Sequence, residues 1–358
     1  MTIVQLEATL LENVPLADLT SLGIGGPARY VVDIDNTVRL TNALTWATKM
    51  DLPILVLGDG TNVVVADTGF DGLVVRMNNQ SVECDTDETK ARVIADAGVS
   101  WDTLVECCVN EGWTGIECLS GIPGRVGAAP VQNIGAYGQQ LKTTLDAVHA
   151  IERATGKSRR IAATDCGLGY RTSVFKQSGR DGWVITKVEL RLERESTSVV
   201  SHHDLLRILG DRQADVAATR QAVLEVRHNK SMLLDADDRN SKSVGSFFVN
   251  PVVSALRAND IARIFADDKM PQQPAGHGHV KLSAAWLIEH CGFTRGESHG
   301  RVGLSDHHTL AIVNRDNATA KDVIAFAQRI RSRVAEATDI VLEPEPVFVG
   351  FDAPVFYE

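Results

Sequence analysis

The sequence predicts an α+β protein, and three observations lead there. Short apolar runs and amphipathic segments are mixed along the 358 residues. Their order is not the regular β-α-β-α alternation of a doubly wound sheet. No GxGxxG follows a predicted strand, LGIGGPARY (22–30) having the wrong spacing, and no GxxxxGK[ST] occurs anywhere. With 44% hydrophobic residues the chain can bury a sizeable core, and its length allows two or three domains.

The elements follow in chain order. TVRLTNALTWATKMD (37–51) carries Val38, Leu40, Ala43, Leu44 and Ala47 at helical spacing. It runs into LPILVLG (52–58), a continuous apolar run of the kind found in buried strands. GDGTN (58–62) interrupts that run and VVVAD (63–67) resumes it, a strand–turn–strand or strand–loop–strand. DGLVVRM (71–77), ARVIADAGV (91–99) and GWVITKVELRL (182–192) alternate as strands do, with Val184, Thr186, Val188 and Leu190 on one face of the last. WDTLVECCVNEG has a helical pattern in which the cysteines serve as small core residues. Near residue 212 the character changes. DVAATRQAVLEVRHNK (215–230) is a helix with Val216, Thr219, Val223 and Val226 inward, and DADDRNSKS (235–243) is a loop. VKLSAAWLIEHCG (280–292) reads as a short helix stopped by Gly292. TAKDVIAFAQRIRSRVAEAT (319–338) is a helix capped by Thr319 and Asp322, with Val323, Ala327, Ile330 and Val334 inward. The remainder, DIVLEPEPVFVGFDAPVFYE, reads as a terminal strand.

Composition excludes several roles. The formal net charge is −10 and no Lys/Arg run exceeds two residues, which argues against nucleic acid. No apolar stretch is long enough to span a membrane, and MTIVQLEATLLENVPL lacks the basic start and apolar run of a signal peptide. The six cysteines form no CxxC pair and read as reduced thiols. A cytoplasmic protein is expected, and nothing demands more than a monomer.

One stretch stands apart: IPGRVGAAPVQNIGAYG (122–138). Gly124, Gly127, Gly135 and Gly138 alternate with Ala128, Ala129 and Ala136, and Arg125 is the only formal charge. Clustered glycines expose backbone N–H groups to phosphate oxygens. Gln132 and Asn133 add donors and acceptors, Tyr137 adds a flat ring, and the absence of acids avoids repelling an anion. The inventory suits a flat heteroaromatic cofactor carrying a diphosphate, held in a non-Rossmann manner. Arg125 either reaches a phosphate or points to water.

This stretch, with GDGTN before it and GYRTSVFK, GSFFVNP and LEPEP after it, resembles the UDP-N-acetylenolpyruvoylglucosamine reductases, flavoenzymes of peptidoglycan precursor synthesis. The likeness runs from about Leu19 to Gly350 with every motif in order. It implies an FAD-binding domain of the vanillyl-alcohol oxidase-like type in two subdomains, 1–77 and 78–212. A substrate-binding domain, 213–339, would follow, with the last strand (about 340–358) returning to the first subdomain. It implies non-covalent FAD, NADPH as hydride donor and a UDP-sugar enolpyruvyl ether as substrate, with no metal. Gly58, Asp59, Gly60, Thr61, Asn62, Pro123, Gly124, Gly127, Gln132, Asn133, Gly135, Ala136, Tyr137 and Ile185 match cofactor-binding positions. Arg171 in GYRTS, Ser246 in VGSFF and Glu345 in LEPEP match the catalytic positions, with Glu343 a competing acid. Tyr137, Lys230, Asn250 and Lys281 match substrate positions. The long gap from Arg171 to Ser246 resembles the branch with a lid loop; His202, or next His203, occupies the place of that lid's tyrosine.

Two other readings compete. Sugar and alcohol oxidases on this scaffold often tether FAD through a His or Cys in the first glycine-rich loop, and LVLGDGTNVV has neither. A binding protein without activity would be expected to have lost at least one of Arg171, Ser246 and Glu345.

Overall fold

The computed structural model describes residues 6–177, 182–195, 197–210, 214–266 and 269–356. The chain forms two compact units. One comprises Met1–Val14, Pro27–Gly60 and Phe70–Leu233; the other comprises Pro15–Gly26, Thr61–Gly69 and Leu234–Glu358.

Among the described residues, the first unit is built on two larger sheets and one two-stranded pair, Gly135–Ala136 with Gln139–Gln140. Pro27–Ile34, Phe70–Met77 and Ile54–Leu57 pair in parallel, in that order, with Leu11–Pro15 at the edge beside Pro27–Ile34. The helix Thr37–Lys49 makes one crossover, and Asn36 caps it by accepting the Arg39 N–H at 2.9 Å. Leu40, Ala43, Leu44 and Ala47 are buried as the period predicts, whereas Val38 is exposed on the first turn. Leu73, Val74 and Val75 are buried in succession, as a central parallel strand requires.

The second sheet is antiparallel, in the order Ser158–Ala162, Leu145–Glu152, Trp183–Glu193, Lys90–Asp96, Val82–Thr86. Val184, Thr186, Val188 and Leu190 are buried, and so are Ile185 and Glu189 on the opposite face. Glu189 is tolerated there because Arg92, Arg160 and His149 surround its carboxylate. The helix Trp101–Asn110 presents Trp101, Leu104, Val105 and Cys108 to the core. Cys107 departs from the expectation of two core cysteines: it sits one position around the helix and faces solvent. All six cysteines are free thiols. The helix Val216–Asn229 also belongs to this unit, with Val216, Thr219, Val223 and Val226 buried.

In the second unit the helix Ala320–Thr338 starts at a complete capping box between Thr319 and Asp322. Val323, Phe326, Ala327, Ile330 and Val334 form its buried stripe. Two expectations need correction. The segment 280–292 is not helical throughout: His279–Leu282 is a strand paired with both Val252–Ser254 and Gln272–Gly276. The helix is Ala284–His290, capped by Ser283, and Gly292 follows it at φ 98°. The terminal segment is a strand only over Val347–Val349, parallel to Val63–Val65. Pro344 and Pro346 lack the N–H a ladder needs. The runs either side of GDGTN therefore join different sheets, so this corner is a loop, not a hairpin. Among the described residues no helix is long and apolar enough to cross a membrane.

Candidate active site

In the first unit the 58–60 and 122–138 loops are fastened together by Arg125. Its Nε donates to Oδ1 of Asp59 at 2.5 Å and its Nη1 to the carbonyl of Gly98 at 2.5 Å. Arg125 therefore does not simply point to water. The 122–127 segment lies along residues 97–101: Val126 N–H bonds Val99, Gly127 N–H bonds Ala97 and Trp101 N–H bonds Gly124. This approach is why position 127 is glycine, since a methyl group there would lie 2.6 Å from Cβ of Ala97. Ala97 N–H in turn bonds the carbonyl of Thr186, so Ile185, buried on the central strand, belongs to the same neighbourhood. Gly124 turns at φ 122°, a conformation closed to side-chain-bearing residues.

Beyond the proline the stretch is held by its own polar groups. Asn133 is 2% exposed and sits at φ 45°. Its Nδ2 donates to the Gly169 carbonyl at 2.9 Å, and its Oδ1 accepts the Lys142 N–H at 2.9 Å. Ser173, fully buried, donates to the Val131 carbonyl at 2.6 Å. These bonds tie GYRTS to the stretch on both sides of Arg171. Arg171 adopts φ 54°, an uncommon state for a non-glycine residue, and its Nη2 donates to the Gly135 carbonyl at 3.1 Å. Strain of this kind persists only where neighbours over-determine the backbone.

Tyr137 is placed by a second group. Its ring meets His202 edge to face with centroids 5.1 Å apart, and His202 stacks on His203 at 4.6 Å. His202 caps the helix His203–Leu209, its Nδ1 accepting the Asp204 N–H at 3.3 Å. Asp204 holds Lys230, whose Nζ donates to Oδ2 at 2.6 Å, and lies 3.1 Å from Nε2 of His203. Burial would raise the Asp204 carboxyl, but Lys230 outweighs it and the net direction is down. Burial pushes the Tyr137 phenol up, against the attraction of Arg227. Arg227 is 9% exposed; its Nε donates to the Gly121 carbonyl at 3.0 Å and its Nη2 to the Met232 carbonyl at 2.7 Å.

Arg227, Arg220 and Asp102 were not singled out in the sequence. Arg220 grips Asp102 with two bonds of 2.6 and 3.0 Å, and Asp102 accepts the Gly121 N–H at 2.6 Å. A signal existed. Arg220 and Arg227 are seven residues apart on the buried face of the helix, where arginine is rare unless paired.

In the second unit, Glu345 N–H donates to the Phe247 carbonyl at 2.8 Å and Val249 N–H to the Glu343 carbonyl at 2.9 Å. This pairing lays the LEPEP segment beside the residues that follow Ser246. It also separates the two candidate acids: Glu345 is 8% exposed, whereas Glu343 faces solvent. Ser246 is half-buried, next to the fully packed Phe247 and Phe248. Asn62 donates to the Glu345 carbonyl at 3.4 Å, and its own carbonyl accepts the Val347 N–H. Thr61 precedes it, half-buried. Oδ1 of Asn250 accepts the Ala284 N–H at 2.9 Å, a supplementary cap on the helix Ala284–His290. Lys281, half-buried, lies on the strand His279–Leu282 opposite Val252 and Gln273.

The 58–60 and 122–138 loops of the first unit suit FAD. Asp59 is the one acid in the two loops, and Arg125 neutralises it. The backbone turns through left-handed states at Gly124, Asn133 and Tyr137, which points successive amides away from regular structure. An FAD binding domain family model matches residues 28–162 and covers both loops. The fold and this cradle define the class: the chain is an FAD-dependent oxidoreductase. A second family model, UDP-N-acetylenolpyruvoylglucosamine reductase, C-terminal domain, matches residues 237–349. A UDP-N-acetylenolpyruvoylglucosamine reductase of Thermobifida fusca is 44% identical over 94% of this chain and 97% of that protein. One from Nocardia farcinica is 43% identical over 96% of this chain and 90% of that protein. The crystal structure of the reductase from Thermus caldophilus has the same fold, with a TM-score of 0.67, 24% identity, and 95% and 100% of the two chains covered. The chain belongs to the UDP-N-acetylenolpyruvoylglucosamine reductase family.

Proposed function

We infer that this chain reduces the enolpyruvyl ether of UDP-N-acetylglucosamine to UDP-N-acetylmuramate, using NADPH. Bound FAD supplies the hydride relay, from the nicotinamide to the methylene carbon of the enolpyruvyl group. The protein's task is to make that carbon electrophilic and to protonate its neighbour. The carboxylate of the substrate is the electron sink, so charge grows on it as hydride arrives. The Arg171 guanidinium, a planar fork, suits a carboxylate gaining enediolate character. Glu345, buried, is assigned to stabilise the same charge. The hydroxyl of Ser246 gives its proton to the α-carbon, and Phe247 and Phe248 keep water from competing.

We assign the cofactor to Gly58, Asp59, Gly60, Thr61, Asn62, Pro123, Gly124, Gly127, Gln132, Asn133, Gly135, Ala136, Tyr137 and Ile185. Tyr137, His202, Lys230, Asn250 and Lys281 are assigned to the substrate and its nucleotide. We assign residues 1–77 and 78–212 to the FAD subdomains and 213–339 to the substrate, bounds that differ from the compact units, since Pro15–Gly26 and Thr61–Gly69 fall in the second unit and the helix Val216–Asn229 in the first. Six free thiols fit a reducing, cytoplasmic setting.

The observation that carries the reading is the pairing of 247–249 with 343–345, which puts a hydroxyl and a buried carboxyl in adjacent segments. An anaerobic absorption titration tests it. NADPH should bleach the flavin, and the enolpyruvyl ether should restore its colour. Bleaching without recovery on substrate would move the reaction to another acceptor.

A further inference from the structure

Asp59 is an anomaly. A diphosphate-bearing cofactor is an anion, and a carboxylate stands in one of the two loops assigned to it. Arg125 is the other charge in these loops, and the structure spends it on that carboxylate. Both side chains keep part of their surface, 24% for Arg125 and 32% for Asp59, so the pair sits at the edge of the cradle and is not sealed in the core. The same guanidinium reaches the Gly98 carbonyl, and Gly98 lies in the segment against which 122–127 is zipped. Its methylene stem covers Gly58, where a methyl group would meet Cγ of Arg125 at 3.3 Å. One side chain therefore touches both small-residue loops and the segment between the strand Lys90–Asp96 and the helix Trp101–Asn110.

We propose that Arg125 is a positioning residue for FAD, cancelling the Asp59 charge and clamping the 58–60 loop to the 122–127 loop without itself binding phosphate. The proposal rests on the cradle assignment made above. Arginine is required on geometry. Lysine offers a point charge on a flexible stem and cannot span the Asp59 carboxylate and the Gly98 carbonyl with fixed N–H directions. Loss of the cation leaves a bare carboxylate facing an anionic ligand, a penalty that screening by salt reduces.

The test is the FAD dissociation constant of reconstituted apoprotein, read from flavin fluorescence, with the thermal midpoint of each apoprotein as a folding check. Arg125→Ala should weaken FAD by about 10- to 100-fold, the range expected for one unscreened charge at partly exposed sites. Adding Asp59→Asn to it should recover at least half of that loss on a logarithmic scale. Arg125→Lys should lie between parent and Arg125→Ala, and serves if the alanine variant does not fold. Raising salt from about 0.05 to about 0.5 M should narrow the Arg125→Ala defect. No recovery in the double variant would overturn the proposal, because a direct phosphate ligand gives that result. Gly60→Val separates the two levels. If it releases FAD while Arg125→Ala does not, the cradle stands and the Arg125 proposal fails. If neither alters FAD binding, the cradle assignment is wrong and the proposal falls with it.

Discussion

At the scale of single residues, the discriminating facts are burial and backbone state. LEPEP offers two acids, and the sequence gives no reason beyond resemblance to choose between them. In the structure Glu345 is 8% exposed and Glu343 faces water. Of the two, Glu345 is the sheltered one, and it is assigned the role at the substrate carboxylate. Glu345→Gln should lower kcat for the enolpyruvyl ether by at least about 100-fold, whereas Glu343→Gln should stay within about twofold. Steady-state kinetics with both variants decides it, and equal effects would reject the assignment. Ser246→Ala should be selective between half-reactions. Reduction of the flavin by NADPH should keep its parental rate in stopped flow, and reoxidation by the substrate should slow by orders of magnitude, roughly 100-fold or more. If both stayed fast, another group supplies the proton. Residue types in the motifs were legible in the sequence; their other duties were not. Asn133 and Asn250 look like ligands in a linear reading. The structure gives Asn133 the task of tying GYRTS to the glycine-rich stretch, and Asn250 a helix N–H. Arg125 is the sharpest case, because its partners Asp59 and Gly98 are 66 and 27 residues away and no local pattern points to them.

At the scale of elements, periodicity decided well along long segments and failed in strands of three or four residues. The helix Ala320–Thr338 was legible to its cap because apolar residues recur every turn and Thr319 and Asp322 have the capping-box spacing. The strand His279–Leu282 was hidden because its Val-Lys-Leu is too short to separate from the helix that Ser283 starts. Likewise VVVAD continues LPILVLG in composition, and only the partner strand Val347–Val349 shows that it belongs elsewhere. The cap supplies an element-scale prediction. Thr319→Ala removes the hydroxyl that accepts the Asp322 N–H at 3.1 Å, leaving the first turn with an unmet donor. The second unit should lose about 1 kcal/mol of stability. Urea unfolding followed at Trp286, the tryptophan of that unit, should show the midpoint shift with an unchanged slope, and no shift would mean that Asp67 caps the helix sufficiently alone. Asp67 is a credible reserve, since its carboxylate accepts the Ala320 N–H at 2.7 Å and the Lys321 N–H at 3.2 Å.

At the scale of the molecule, the chain leaves its first unit at Val14 and again at Gly60, returning each time after a short excursion. No composition shift marks these crossings, because each excursion is too short to carry a pattern of its own. What does extend over the whole chain is its surplus of acids, with a formal net charge of −10. Several of these acids have carboxyls pulled below their ordinary range. Arg160, then Arg92 and His149, depress Glu189 in spite of its burial. For Asp102, burial acts upward and the bonds from Arg220 and the Gly121 N–H overcome it. At Asp204, Lys230 overcomes burial in the same way. A carboxyl depressed by folding adds stability that is fully present above its unfolded value, about 4.3 for Glu and 3.9 for Asp, and that drains as pH falls toward the folded value. All three lie in the first unit, so acid should weaken that unit first. Its four tryptophans, Trp46, Trp101, Trp113 and Trp183, report on it separately from Trp286. Thermal melts should give a level midpoint from about pH 7 to about pH 5 and a falling one below. Glu189→Gln carries the decisive comparison. The variant should be less stable than the parent near neutrality, because Gln cannot compensate Arg92 and Arg160, both about half exposed at their side chains. Below about pH 4.3 Glu189 of the unfolded chain takes up a proton while the folded carboxyl, held well below that, stays ionised, so the gap between the two melting points should shrink as pH falls. A gap that stays constant with pH would show that Glu189 contributes through packing and hydrogen bonds alone, with its charge contributing nothing to the stability of the sheet.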